Sequence, residues 1–229
     1  MTRSQSKAVL FSAIAALGLV GCANSYALPL DREVAKEVQF PSTPATQLAE
    51  DLLNSYSGEV MVGHVKRSYL FAKAFAEKEQ STFDEELVYI ALLLHDLGLE
   101  DPYDKGGDFE QNGAQGAYDM LSQVGRIELA DDVKNAINLH TDPATAQHQR
   151  YEYALVARGA LADVVGAGLD QLPPEKVSEI VSRYPRAGTK ELLIAMLERQ
   201  ARFKPDSRIG QTYSQVPVSD LIRRSPFED

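Results

Sequence analysis

Apolar residues recur at helical spacing along most of this chain. Val65, Tyr69, Ala72 and Ala76 form one stripe of a segment running from Val60 to Ala76, with His64, Ser68, Phe71 and Phe75 beside it. A helix from Gln47 to Leu53 precedes it. Thr82 and Glu85 have the spacing of a capping box, which opens a helix through Leu87 to Leu97 that Gly98 ends. Asp108 is placed to cap a helix from Phe109 to Val124, and Leu129, Val133, Ile137 and His140 share one face of the next, stopped by Pro143. Residues 151 to 169 form a nearly apolar helix, Pro173 and Pro174 start another ending near Tyr184, and Glu191 to Phe203 gives the last. No alternating Val/Ile/Thr-rich segment interrupts this pattern. The expectation is a single all-α bundle.

The first residues differ from the rest. Arg3 and Lys7 precede an apolar run from Ala8 to Val20, which closes on Leu19-Val20-Gly21-Cys22. This is the layout of an export signal, and its apolar run is too short for a spanning helix of about 20 apolar residues. Its end resembles the lipobox of bacterial lipoproteins, which implies cleavage before Cys22 and lipidation of that sulfur. An ordinary secretory signal is the alternative. Residues 1–21 then form the signal, 22–42 a Pro-containing tether, 43–205 the folded domain and 206–229 a polar C-terminal tail that wraps the surface. The resemblance, with no aspartate after Cys22, implies a lipid-anchored envelope protein, at the outer membrane facing the periplasm.

Composition narrows the partners. The formal net charge is -10, and loss of Arg3 and Lys7 with the signal makes it -12. Such a chain repels phosphate backbones, so nucleic acid is not an expected partner. Cys22 is the only cysteine, so the fold holds without an internal disulfide. The oligomeric state is not legible.

The chemistry concentrates in a few polar residues on apolar helices. Ile90-Ala-Leu-Leu-Leu94-His95-Asp96-Leu97-Gly98 carries a histidine and a carboxylate into the core. Burying that carboxylate without a partner costs several kcal/mol, and a cation would remove the penalty. Neighbouring residues on a helix point about 100° apart, so both reach one ion only where the helix ends. Asp163, in Ala160-Leu-Ala-Asp163-Val-Val-Gly, is a second core carboxylate. Alone it could equally be an internal hydrogen-bond hub or pair with Arg158. His64 alone would more readily be a core histidine than a ligand. Glu110, in Phe-Glu-x-x-Gly-Ala, is either a carboxylate entering the pocket or a first-turn acid. His140 points inward, as a general acid, a substrate anchor, a second-metal ligand or a structural histidine. Arg67, one turn after His64, could steady a carboxylate of the site or bind substrate. His148 lies in a polar loop.

In this order, His64, His95-Asp96 and Asp163 resemble the HD-domain metalloproteins. With His64-Val-Lys-Arg67-Ser-Tyr69, Phe109-Glu110 before Gly113-Ala114, and Asn138-Leu-His140, the chain is similar to the cyanamide hydratase-like branch. The resemblance implies one divalent metal held by His64, His95, Asp96 and Asp163, zinc first, iron or manganese as alternatives. It implies activation of water for attack on a small substrate, such as a nitrile or cyanamide, and Glu110 and His140 are the candidates for handling protons there. A phosphohydrolase acting on a phosphomonoester or nucleotide is the second reading, disfavoured by the few basic residues near the motifs. A non-catalytic metal-binding envelope lipoprotein is the third.

Overall fold

The computed structural model describes residues 39–228; the signal, Cys22 and most of the tether lie outside them. Ten α-helices and no strand occur among the described residues: α1 Pro44–Tyr56, α2 Glu59–Glu79, α3 Glu85–Leu94, α4 Phe109–Gln123, α5 Ile127–Leu139, α6 Tyr151–Val165, α7 Pro174–Arg183, α8 Thr189–Phe203, α9 Arg208–Tyr213 and α10 Val218–Arg223. The all-α expectation holds. None of the described helices is long and apolar enough to cross a membrane.

Helix α3 is the axis of the bundle. Every residue from Leu87 to Leu94 is buried, so it shows no polar face, and α1, α2, α4, α5 and α6 all touch it. Its N-cap is Asp84, whose side chain accepts from the Leu87 amide at 3.0 Å. The sequence-based capping box at Thr82 therefore starts two residues early, because the helix begins at Glu85 and Asp84 holds the N-cap position, with a side chain that bonds the amide three residues on. The helix also ends sooner than Leu97. His95 keeps helical angles, Asp96 turns to φ -100 and ψ 7, and Leu97–Leu99 form a 3-10 turn.

Two close crossings place the functional side chains. A Cβ on Gly159 of α6 would meet the Ser68 carbonyl of α2 at 2.4 Å. Asp163 lies one turn after Gly159 and His64 one turn before Ser68, so the crossing that only glycine permits sets Asp163 against His64. A Cβ on Gly98 would meet the Phe109 carbonyl at 1.9 Å. That approach sets the start of α4, and so Glu110, beside the His95-Asp96 turn.

Asp108 occupies the N-cap position of α4 but makes no side-chain cap. Its Oδ1 instead accepts from the Arg208 amide at 2.6 Å, tying α4 to the C-terminal segment. That segment is more ordered than a polar wrap: it carries α9 and α10, and buries Ile209, Ile222 and Phe227. These apolar residues are too irregularly spaced to give a periodic signal.

Gly98→Ala is expected to lower stability by about 3 kcal/mol or more, because backbone rather than a flexible side chain must move. Gly58, whose Cβ would meet nothing within 4 Å, provides the control. Gly58→Ala should change stability by no more than about 0.5 kcal/mol. Denaturant unfolding of the two variants checks the contrast.

Candidate metal centre

Three histidines and one aspartate converge where α2, α3 and α5 meet. His64 Nε2 lies 3.1 Å from His95 Nε2 and 3.3 Å from Asp96 Oδ2, and His95 Nε2 lies 3.4 Å from the same oxygen. His140, which follows α5, brings its Nε2 to 3.8 Å from Asp96 Oδ1. All four residues are buried, Asp96 being the most exposed at 7%. The helix end at His95 is what lets two adjacent side chains reach one point, as the sequence required.

The other ring nitrogen of each histidine is committed. His95 Nδ1 bonds the Leu92 carbonyl at 2.8 Å, His140 Nδ1 the Ile137 carbonyl at 2.6 Å, and His64 Nδ1 the Asp163 carboxylate at 2.7 Å. Each Nδ1 therefore carries the proton and donates it, and in the neutral ring Nε2 is left with a lone pair. Facing one another and a carboxylate, the three Nε2 atoms call for a positive charge among them: a proton on His64 Nε2, shared with Asp96 and His95, supplies it in the metal-free centre, and a divalent cation can take its place. His64, His95 and Asp96 each offer a ligand atom within 4.8 Å of the others, and this donor set fits a divalent metal ion.

The titration behaviour agrees with an electron-rich centre. Burial opposes charge on His64, but its hydrogen bonds to Asp163 and Asp96 outweigh that and raise its pKa. Burial pushes His95 down despite the charge of Asp96. Burial, reinforced by the charge of His95, pushes His140 down to about 3, so it stays neutral at physiological pH. Burial alone would raise Asp96; the charge of His95 and the hydrogen bond to His64 hold it well below the usual carboxylate range.

Asp163 is not among the converging groups. Its Oδ1 accepts from Arg67 Nε and Arg186 Nη1, both at 2.7 Å, and its Oδ2 from Arg67 Nη2 at 3.0 Å and His64 Nδ1 at 2.7 Å. Of the readings open to it, this is the hydrogen-bond hub, with Arg67 and Arg186 as ion-pair partners. Arg158 instead bonds Glu79. Arg67 steadies this carboxylate with two of its nitrogens. Its other donors go to the Tyr184 and Pro185 carbonyls and to Thr189 Oγ1, so all five are used.

Glu110 is fully buried beside the centre. Its Oε1 accepts from Thr141 Oγ1 at 2.6 Å, while Oε2 is buried with no hydrogen-bond partner. Burial raises its pKa, more than the Thr141 bond lowers it. Arg208, from α9, places Nη1 3.9 Å from Glu110 Oε1 and donates to the Asn138 carbonyl. Sequence reasoning missed Arg186, Thr141 and Arg208. Each is a loop or helix-start residue in a polar stretch, and only the tertiary fold carries it to the site.

The family profile described as the HD domain matches residues 61–184, more than half of the chain. The chain belongs to the HD-domain family. This HD domain therefore has the fold of metal-dependent hydrolases, and its His-His-Asp group is placed to bind a divalent metal. Comparison with curated proteins finds no match. Arg186 and Arg208 lie beyond the matched region.

Glu110→Gln tests the buried carboxyl. A group whose pKa is raised on folding contributes stability that is complete below its unfolded value, near 4.5, and is lost as pH rises through the folded value. The glutamine variant has no such dependence. In thermal melts of metal-free protein, the difference in Tm should move in favour of Glu110→Gln between about pH 4 and about pH 7. A difference independent of pH would contradict the raised pKa.

Proposed function

We propose that this HD domain is a metal-dependent hydratase or hydrolase that adds water to a small neutral molecule, a nitrile or cyanamide-like compound foremost. The observation that carries the reading is the convergence of His64 Nε2, His95 Nε2 and Asp96 in a deeply buried centre. A bound divalent cation supplies Lewis acidity, making water nucleophilic near neutral pH. One metal suffices, because the only other histidine facing the centre is His140.

The remaining side chains support addition to a carbon-nitrogen bond. His140 presents a neutral Nε2 that accepts a hydrogen bond from the attacking water and orients it. Glu110, favoured in its protonated form by burial, donates from Oε2 to the nitrogen that gains a proton. With cyanamide, water oxygen bonds to carbon, Glu110 gives one proton to the nitrile nitrogen and is reprotonated by one from the water, the second water proton passes to the same nitrogen, and urea results. Site residues no more than 7% exposed favour a small substrate over a large one.

A phosphomonoester is the second reading, and one observation favours it. The Arg208 side chain is 30% exposed and close to Glu110, so it offers a cation at the edge of the centre. The same proposal keeps Cys22 as a lipid-attachment site, which mass analysis of membrane-extracted protein checks. Its support is the Leu-Val-Gly-Cys end of the apolar run.

Turnover separates the readings. Metal-loaded protein is expected to convert cyanamide to urea, and Asp96→Ala to remain helical while losing both metal and turnover. Activity on p-nitrophenyl phosphate that falls at least about tenfold in Arg208→Ala, with none on cyanamide, would replace the first reading by the second. Turnover in metal-free Asp96→Ala would contradict both.

A further inference from the structure

We propose that Asp163 is a positioning residue that holds the metal-binding tautomer of His64 from behind, and is not itself a ligand. Its bond is to Nδ1, across the imidazole ring from the Nε2 that faces His95 and Asp96. A carboxylate has about four lone-pair sites, and Asp163 has filled four of them with donors from Arg67, Arg186 and His64. No acceptor capacity remains for an ion.

The surrounding structure holds this arrangement from several sides. Arg67 reaches Asp163 with two of its nitrogens and is fixed by three further acceptors on the chain that follows α7 and at the start of α8. Arg186 Nη1 also bonds the Asp163 carbonyl at 2.7 Å, so it grips side chain and backbone together. The Phe227 ring lies 4.1 Å over the Arg186 guanidinium, and Lys190 donates to the Phe227 carbonyl at 2.6 Å. Arg67, Arg186 and Asp163 are each no more than 2% exposed. Two guanidinium charges against one carboxylate keep Asp163 ionised inside the core, and moving it toward the ion would strand both arginines.

The chemical consequence falls on His64. A carboxylate on Nδ1–H fixes the ring orientation and raises the basicity of Nε2 toward a cation. The metal set of this chain is then His64, His95 and Asp96, with His140 adjacent, leaving more open positions for water and substrate than a set that spends a fourth position on Asp163.

This inference builds on the metal-centre reading but can be tested apart from it. The chain has four histidines, so a histidine-labelled 15N spectrum resolves each ring by single substitution. In metal-free protein, a slowly exchanging His64 Nδ1–H signal is expected. Zinc titration should shift His64 Nε2 and leave that proton signal in place. Its loss on zinc loading would show Asp163 leaving His64 for the ion, and would overturn the proposal.

Zinc affinity gives the second readout. Asp163→Asn should bind one equivalent about 10–100-fold more weakly than the parent. Asp96→Asn, which removes a ligand, should not bind at the same concentrations. Equal loss in both variants would also overturn the proposal. Should Asp163→Asn fail to fold, the spectrum of the unaltered protein still decides. Should the unaltered protein take no zinc, the functional reading falls, and the Nδ1–H signal in metal-free protein supports this inference by its presence or overturns it by its absence.

Discussion

Each of the three histidines that face Asp96 has its Nδ1 proton bound to an acceptor in its own surroundings, so their three Nε2 atoms all face one another and a carboxylate. Such a cluster needs a positive charge at its middle, a proton or a metal ion, because little solvent is available in so buried a place to screen the repulsion. Two of the acceptors are backbone carbonyls one turn back on the same helix, and the third is Asp163. The arrangement is therefore built into α3, α5 and α6, and does not depend on loop conformation. A cation is the species that turns this repulsion into bonding, and the chemistry proposed for the chain follows from that requirement.

Helix geometry gives this constraint its form. The glycine at 159 lets α6 close on α2, and the glycine at 98 lets α4 close on the His95-Asp96 turn. Without the first crossing Asp163 would not reach His64, and without the second Glu110 would not be buried beside the centre. The charges are layered accordingly. Arg67 and Arg186 with Asp163 form a saturated ionic layer behind His64, whereas Asp96, His140 and the unpartnered oxygen of Glu110 form a reactive layer in front. Saturated groups give rigidity, and incompletely satisfied ones give reactivity.

Much of this was legible in the sequence. The 3.6-residue periodicity located the main helices. The fully apolar approach to His95-Asp96 showed that both side chains end in the core, and the need for a helix end there was also readable. What was not legible was which side of a ring each partner takes. Asp163 in an apolar helix gives the same sequence signal whether it binds an ion or two arginines, and Arg186, in a Tyr-Pro-Arg-Ala-Gly turn, gives none. The start of α3 at Asp84 and the two short C-terminal helices were missed for a related reason. Local competition between caps, and apolar residues without regular spacing, are resolved only by tertiary contacts.

The most direct test of the central claim is the anomalous difference map of a crystal grown from the full folded domain with a divalent metal. One peak bonded by His64 Nε2, His95 Nε2 and Asp96 is the predicted result, with the Asp163 carboxylate still on His64 Nδ1. A stoichiometrically loaded protein whose ion lies elsewhere, or a centre that stays free of metal at saturating concentration, would contradict the account.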